Sequence, residues 1–85
     1  MFNVEFTPSG AKDLKKLSKE LQQRVLKKIQ FFATQENPLA FSKPLVNLPP
    51  ITHRFRVGDY RVAFYIENKT IYIDRIRHRS EVYLH

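Results

Sequence analysis

Residues 53–73, HRFRVGDYRVAFYIENKTIYI, hold three runs of alternating side chains separated by two dipeptides, Gly58-Asp59 and Asn68-Lys69. Alternation of this kind marks a β-strand with one buried face, because successive side chains point to opposite sides of a sheet. A two-residue connection leaves the flanking strands no choice of alignment, so it fixes their register. Val57 then faces Tyr60, Arg56 faces Arg61, Phe55 faces Val62 and Arg54 faces Ala63. In the second hairpin Ile66 faces Ile71, Tyr65 faces Tyr72 and Phe64 faces Ile73. One face of the resulting sheet gathers Phe55, Val57, Val62, Phe64, Ile66, Ile71 and Ile73, which is a core. The strands are expected over residues 53–57, 60–67 and 70–77.

The front half supplies what covers that core. Residues 2–6, FNVEF, alternate Phe2, Val4 and Phe6 against Asn3 and Glu5, a half-buried strand. Thr7-Pro8 reads as an N-cap and first helical residue. The helix it opens runs to about Leu17, with Ala11, Leu14 and Leu17 on one arc. Ser18 caps a second helix, in which Leu21, Val25, Ile29 and Phe32 share a face widened by Leu26 and Ala33. Between Thr34 and Thr52 the periodicity stops, and Pro38, Pro44, Pro49 and Pro50 bar a long helix or central strand. That connection is either a packed crossover or a surface with a job, with Leu45 and Leu48 expected to pin it to the core. The fold class expected is α+β, an N-terminal strand and two-helix hairpin packed on a small, mostly antiparallel sheet. It forms one domain over residues 1–85.

The second sheet face carries the chemistry. It gathers Arg54, Arg56, Arg61, Tyr65 and Tyr72, and the tail adds Arg77, His78, Arg79 and Tyr83. Like charges directly opposite each other destabilise a sheet, so Arg56 against Arg61 breaks a folding rule. Departures of that sort occur where function outweighs folding. The whole chain has 15 Lys and Arg against 8 Asp and Glu, a formal net charge of +7. Such a balance in 85 residues fits a polyanionic partner, a nucleic acid or an acidic protein. Arginines with tyrosines suit phosphates and unstacked bases. The bland alternative is a solvated face partly neutralised by Asp59, Asp74 or Glu81.

Other classes fit less well. There is no cysteine, hence no disulfide or thiolate metal site. His53, His78 and His85 lack ligand spacing and an acidic companion, so no metal and no cofactor is expected. No apolar run approaches the ~20 residues of a membrane span. No basic segment followed by an apolar run opens the chain, so a cytoplasmic location is expected. Lys12, Lys15, Lys16 and Lys19 line the polar side of the first helix, either as an RNA contact or as an ordinary solvated stripe. Tyr65 and Tyr72 read first as a cross-strand packing pair and second as base-stacking groups. Phe31 falls off the core arc of its helix and belongs either to a partner groove or to a loop cap.

Residues 53–83, HRFRVGDYRVAFYIENKTIYIDRIRHRSEVY, resemble the C-terminal half of the RelE/ParE toxin superfamily of type II toxin–antitoxin systems. The pattern is a YRxRxGdYR-like hairpin, two further hydrophobic strands, a hydrophobic–Gly–His–Arg step and a terminal EVY. The order of strand, helical hairpin and proline-containing connection matches as well, so the resemblance covers essentially the whole chain. It implies the RelE-like fold and, for RelE-like members, a ribosome-dependent endoribonuclease that cuts mRNA in the A site. There the 2′-hydroxyl attacks the adjacent phosphate without a metal, and a cognate antitoxin is the protein partner.

Carried over by position, the resemblance puts Arg54 and Arg56 beside the scissile phosphate and Arg61 on the phosphorane. It puts Arg79 near the leaving oxygen and Tyr83 on the substrate base, with a possible part in proton transfer. His78 is a candidate general acid or base, since its unperturbed pKa lies near neutrality. Guanidinium forks suit the developing phosphorane charge. Arg54, Arg56, Arg77, Lys12, Lys15 and Lys16 form the expected RNA-binding set. Two departures stand out: Arg77 replaces the glycine before the His-Arg pair, and only two residues follow Tyr83, so no C-terminal helix is expected. ParE-like members instead poison DNA gyrase, and a degenerate member would only bind its antitoxin. These remain the rival readings.

Overall fold

The computed structural model describes residues 1–82. The chain runs β1 (Asn3–Phe6), α1 (Pro8–Lys15), α2 (Lys19–Thr34), a 3-10 turn at Pro38–Phe41, β2 (Lys43–Pro44), β3 (His53–Val57), β4 (Tyr60–Glu67), β5 (Thr70–His78) and α3 (Arg79–Val82). The strands form one sheet in the order β1-β5-β4-β3-β2. β1 lies parallel to β5, and every other neighbouring pair is antiparallel. This is the α+β layout expected from the sequence.

Both hairpins have the expected register. Arg56 pairs with Arg61 and Phe55 with Val62 in the first. Tyr65 pairs with Tyr72 and Ile66 with Ile71 in the second. Turn chemistry explains this. Gly58 has φ 58°, and Asn68 and Lys69 have φ 49° and 63°. Positive φ at both Asn68 and Lys69 is the type I′ pattern, and positive φ at Gly58 alone is the type II′ pattern; the twist of either matches the flanking strands. The helix starts are equally local in origin. Thr7 Oγ1 accepts the Gly10 N–H at 3.1 Å, and Ser18 Oγ accepts the Leu21 N–H at 3.2 Å. Each satisfies a donor that the first helical turn leaves unpaired.

The core lies between α2 and the sheet. Val25, Ile29, Phe32 and Ala33 pack on Phe55, Val57, Val62, Phe64, Ile71, Ile73 and Ile76. Phe32, Phe55 and Phe64 stack in series, with ring centroids 3.8 Å and 4.2 Å apart. Burying such side chains supplies roughly 1.5–3 kcal/mol each, which makes this stack the main anchor between helix and sheet.

Two features depart from expectation. Leu45 and Leu48 do not pin the long connection to the core: Leu45 is half-buried and Leu48 exposed. Pro38 and Ile51 are the buried residues of that segment. The short β2 adds its two residues to the sheet edge at Lys43–Pro44, where a proline costs no ladder bond. The second departure is in β5. Phe64 pairs with Ile73, but Ala63 pairs with Arg75, so Asp74 is an extra residue. This β-bulge shifts the phase of the strand. Ile76 turns into the core, and Arg75 and Arg77 turn to the opposite face.

α1 holds the bulge in place. β1 ends at Phe6, and Thr7 continues its line by donating its N–H to the Ile73 carbonyl at 3.0 Å. Thr7 Oγ1 donates to Asp74 Oδ1 at 2.8 Å. Nearly two turns later Asp13 Oδ2 accepts the Ile76 N–H at 3.0 Å and also the Arg77 guanidinium. The edge of β5 that β1 leaves open is thereby closed by a side chain. Gly10 lets the helix come close enough, since a Cβ there would collide with the Ile73 carbonyl oxygen.

Gly10→Ala tests this approach. Helix propensity alone would stabilise the variant by about 1 kcal/mol. Forcing α1 off β5 is expected to outweigh that gain and to destabilise the protein by about 1–3 kcal/mol. A urea titration should show a lower midpoint at unchanged slope, and a higher midpoint would mean that α1 is not pressed onto the strand.

Candidate nucleic-acid interface

Strand pairing assembles the arginines into rows. Arg56 on β3 lies opposite Arg61 on β4, and Arg61 lies opposite Arg77 on β5. Adjacent strands are about 4.8 Å apart, so three guanidinium stems stand side by side across the sheet. Two residues further along, Arg54, Ala63 and Arg75 form the next row. Arg61 occupies the centre and is only 6% exposed, while Arg56 is exposed and Arg54, Arg75 and Arg77 are half-buried.

A buried guanidinium normally needs a partner, because desolvating an unpaired charge is costly. Among the described residues the one ion pair is Arg77 with Asp13. Arg54, Arg56, Arg61 and Arg75 therefore face each other without a carboxylate. No buried side-chain nitrogen or oxygen among the described residues is left without a hydrogen-bond partner, so the Arg61 guanidinium still opens onto solvent in the groove. A cavity of about 370 Å³ lies there between Arg54, Arg56 and Arg61 and the segment Ala40–Lys43. The cluster gathers guanidinium groups from two strands around one groove, an arrangement that can receive an anion.

The other expected residues fall in different places. His78 pairs with Tyr60, on the helix side of the sheet, with its ring edge-on to Tyr60 at 5.3 Å and Nδ1 2.8 Å from Ser80 Oγ. The structure does not bring it onto the arginine face. Arg79 is exposed at the start of α3, its N–H donating to the Asp59 carbonyl at 2.7 Å. Tyr83 lies outside the described residues. Lys12 and Lys15 are exposed on α1, and Lys16 shares a cavity of about 360 Å³ with Asp13 and Arg77. Tyr65 and Tyr72 stack with centroids 5.1 Å apart, the expected packing pair. Desolvation first, then Glu67, Asp74 and Tyr72, hold the Tyr65 phenol above its ordinary pKa. It stays protonated at neutral pH and can donate but not act as a base.

Lys43 and Arg75 were missed by the sequence reading. The signal for Arg75 was present: the apolar positions run 71, 73, 76, and the break from odd to even is what a bulge produces. Lys43 came into view only through β2, whose two residues carry no periodicity of their own.

A five-stranded sheet with helices on one face and unpaired arginines on the other defines a small basic α+β protein of the RelE-like fold. The chain belongs to the ParE toxin family of type II toxin–antitoxin systems, whose model matches residues 4–83, and so to the RelE/ParE toxin superfamily. Solved structures agree. The Mycobacterium tuberculosis RelBE2 toxin–antitoxin complex contains a chain 30% identical, with a TM-score of 0.73 over 92% of this chain and 98% of that one. The RelE–RelB complex of Pyrococcus horikoshii gives 25% identity and a TM-score of 0.70 over 92% and 94%. The isolated Escherichia coli RelE toxin, at 20% identity, shares the fold with a TM-score of 0.70 over 98% and 92%. No curated protein matches the chain. Among the described residues no helix is long and apolar enough to cross a membrane.

The unpaired row gives a stability prediction. Arg56→Gln removes one of two directly opposed charges and should stabilise the protein by about 0.2–1 kcal/mol at low salt. The gain should shrink at high salt, where the repulsion is screened, and reverse in phosphate buffer, where the wild type binds the anion. Thermal melts across the three conditions check it. An Arg56→Gln gain that persists in phosphate would show that the face does not bind anions.

Proposed function

We propose that this toxin is a ribosome-dependent endoribonuclease whose phosphate site is the Arg54–Arg56–Arg61 cluster. The observation that carries the reading is Arg61, a guanidinium buried at the centre of a basic sheet face with no carboxylate beside it among the described residues. In the proposed reaction the substrate 2′-oxygen forms a bond to phosphorus and the bond from phosphorus to the 5′-oxygen breaks. The products are a 2′,3′-cyclic phosphate and a free 5′-hydroxyl. The 2′-hydroxyl proton leaves to a base and the 5′-oxygen takes one up. Charge builds on the non-bridging oxygens, and Arg61, flanked by Arg54 and Arg56, is placed to bear it without reorganising. No metal is needed in this scheme. Arg79 and Tyr83 are assigned to the leaving oxygen and the base of the substrate, whereas His78, turned towards Tyr60 on the helix side of the sheet, is given no part in proton transfer.

The partner proposed is an antitoxin, as in the RelB-bound structures of M. tuberculosis and P. horikoshii. A net charge of +7 suits an acidic segment that orders on the toxin. The proposed setting is the cytoplasm, where message, ribosome and antitoxin meet. A second reading is favoured by the family model itself, which describes ParE: a gyrase inhibitor with no chemistry of its own. The same fold hosts both functions.

Primer extension on a reporter message in a reconstituted translation reaction separates them. The expected outcome is cleavage that requires the ribosome and leaves 5′-hydroxyl ends. Arg61→Ala should lose about 10²–10³-fold in cleavage rate, and Tyr83→Phe should be slower than wild type. Intact message beside active ribosomes would overturn the nuclease, and inhibition of gyrase supercoiling would then establish the second reading.

A further inference from the structure

The sheet carries a second line of cations beside the Arg56–Arg61–Arg77 row. Lys43 on β2 lies opposite Arg54, Arg54 opposite Ala63, and Ala63 opposite Arg75. The small residue in the middle leaves a hollow. Ala63 helps floor a cavity of about 510 Å³, with Arg54 and Arg75 beside it, Arg61 and Arg77 of the first row at its border and Leu45 and Leu48 in its wall, while Lys43 lines the neighbouring groove. Among the described residues no carboxylate pairs with Arg54, Arg75 or Lys43.

The two rows are two residues apart along the strands. At a rise of about 3.3 Å per residue they are roughly 6.6 Å apart, which is of the order of the distance between successive phosphates in a stretched single strand. A nucleic-acid backbone running along the strands would set one phosphate on each row. The cavity volume is in the range that holds a small ligand, and its apolar wall gives a ribose and base a surface to lie against.

We propose that Arg54 and Arg75, on either side of Ala63, form a second phosphate subsite for the nucleotide next to the one held at Arg61. The occupant is single-stranded RNA, lying with its backbone parallel to β4. Arg54, in the second row, lines both cavities and links them. The subsite rests on the nuclease reading for its first row, but it is a statement about binding and is testable without cleavage or ribosomes.

The probe is a 2′-O-methyl trinucleotide, which cannot react, carrying two phosphodiesters. Two companions each have one of these replaced by a neutral methylphosphonate. Binding is followed by fluorescence anisotropy over a range of salt, with melting curves showing that each variant is folded. Arg75→Gln is expected to weaken binding of the doubly charged probe severalfold and to lower its salt slope by about 0.7, the value for one single-strand phosphate contact. It should leave both singly charged probes unaffected, since these need only the Arg61 row. Arg75→Lys should restore the slope. Arg61→Ala should weaken all three probes.

Arg75→Gln that changes no probe would overturn the second subsite while an Arg61→Ala effect leaves the first row standing. If Arg61→Ala is silent too, the nuclease reading loses its phosphate site. Equal weakening of singly and doubly charged probes would reduce Arg75 to diffuse charge and overturn the proposal. So would an Arg75-dependent affinity for a glutamate-rich peptide without one for the trinucleotide, which would assign the row to a protein partner.

Discussion

The carboxylate of Asp13 does more than any other polar group to decide what this sheet can be. It is 7% exposed, and it accepts both the Ile76 N–H and the Arg77 guanidinium. Without it, the stretch of β5 beyond β1 would present an unpaired N–H to a half-buried helix, and an unsatisfied donor costs about 1–3 kcal/mol. With it, α1 can sit on the strand edge where β1 stops. The bulge at Asp74 is clamped from two sides, by Thr7 on Asp74 itself and by Asp13 two residues later. Because a one-residue shift swaps the faces of a strand, that clamp sends Ile76 into the core and Arg75 and Arg77 to the basic face. The composition of the candidate site is thus set by a helix on the far side of the strand.

The basic face works against the fold that carries it. Arg56, Arg61 and Arg77 stand in one row, and Asp13 neutralises only Arg77. Each opposed pair costs a few tenths of a kcal/mol or more, and burying Arg61 adds a desolvation cost. The stacked Phe32, Phe55 and Phe64 on the other face offset it, together with the fully buried Val62, Ile71 and Ile73. One strand carries both roles: in β4, Val62 and Phe64 bind the core while Arg61, just before them, meets the groove. An arginine held on a central strand between two neighbours loses little freedom when an anion arrives, which is what preorganised charge stabilisation requires.

The hairpins were legible because their information is local. Gly58 supplies the left-handed residue of one turn, Asn68 and Lys69 those of the other, and two-residue loops leave the register no slack. Once Arg56 was opposite Arg61, the basic face followed. The caps at Thr7 and Ser18 were legible for the same reason. What escaped depends on contacts distant in sequence. Asp13 and Ile76 are 63 positions apart, and only their meeting explains why a strand read as continuous over 70–77 changes phase at 74. The segment 34–52 escaped because its partner is the arginine face itself. Leu45 and Leu48 read as core pins when they are the wall of a groove. His78 looked like a neighbour of the arginines because it adjoins Arg77 and Arg79 in sequence, yet alternation after the bulge turns it towards Tyr60.

Arg77 shows how the same scaffold acquires a different surface. At the position where the resemblance leads one to expect glycine, this chain adds a third member to the central row and then ties it to Asp13. An unpaired arginine there would sharpen the repulsion on Arg61; a paired one supplies hydrogen-bonding breadth at less electrostatic cost. The pairing also gives the Asp13 carboxylate a second partner, so the helix clamp and the basic row reinforce each other. Fold alone does not separate a nuclease from a gyrase inhibitor. The unpaired charge is spread over β3, β4 and β5 in two rows rather than gathered at one point, and it is this spread on which the proposed phosphate contacts rest.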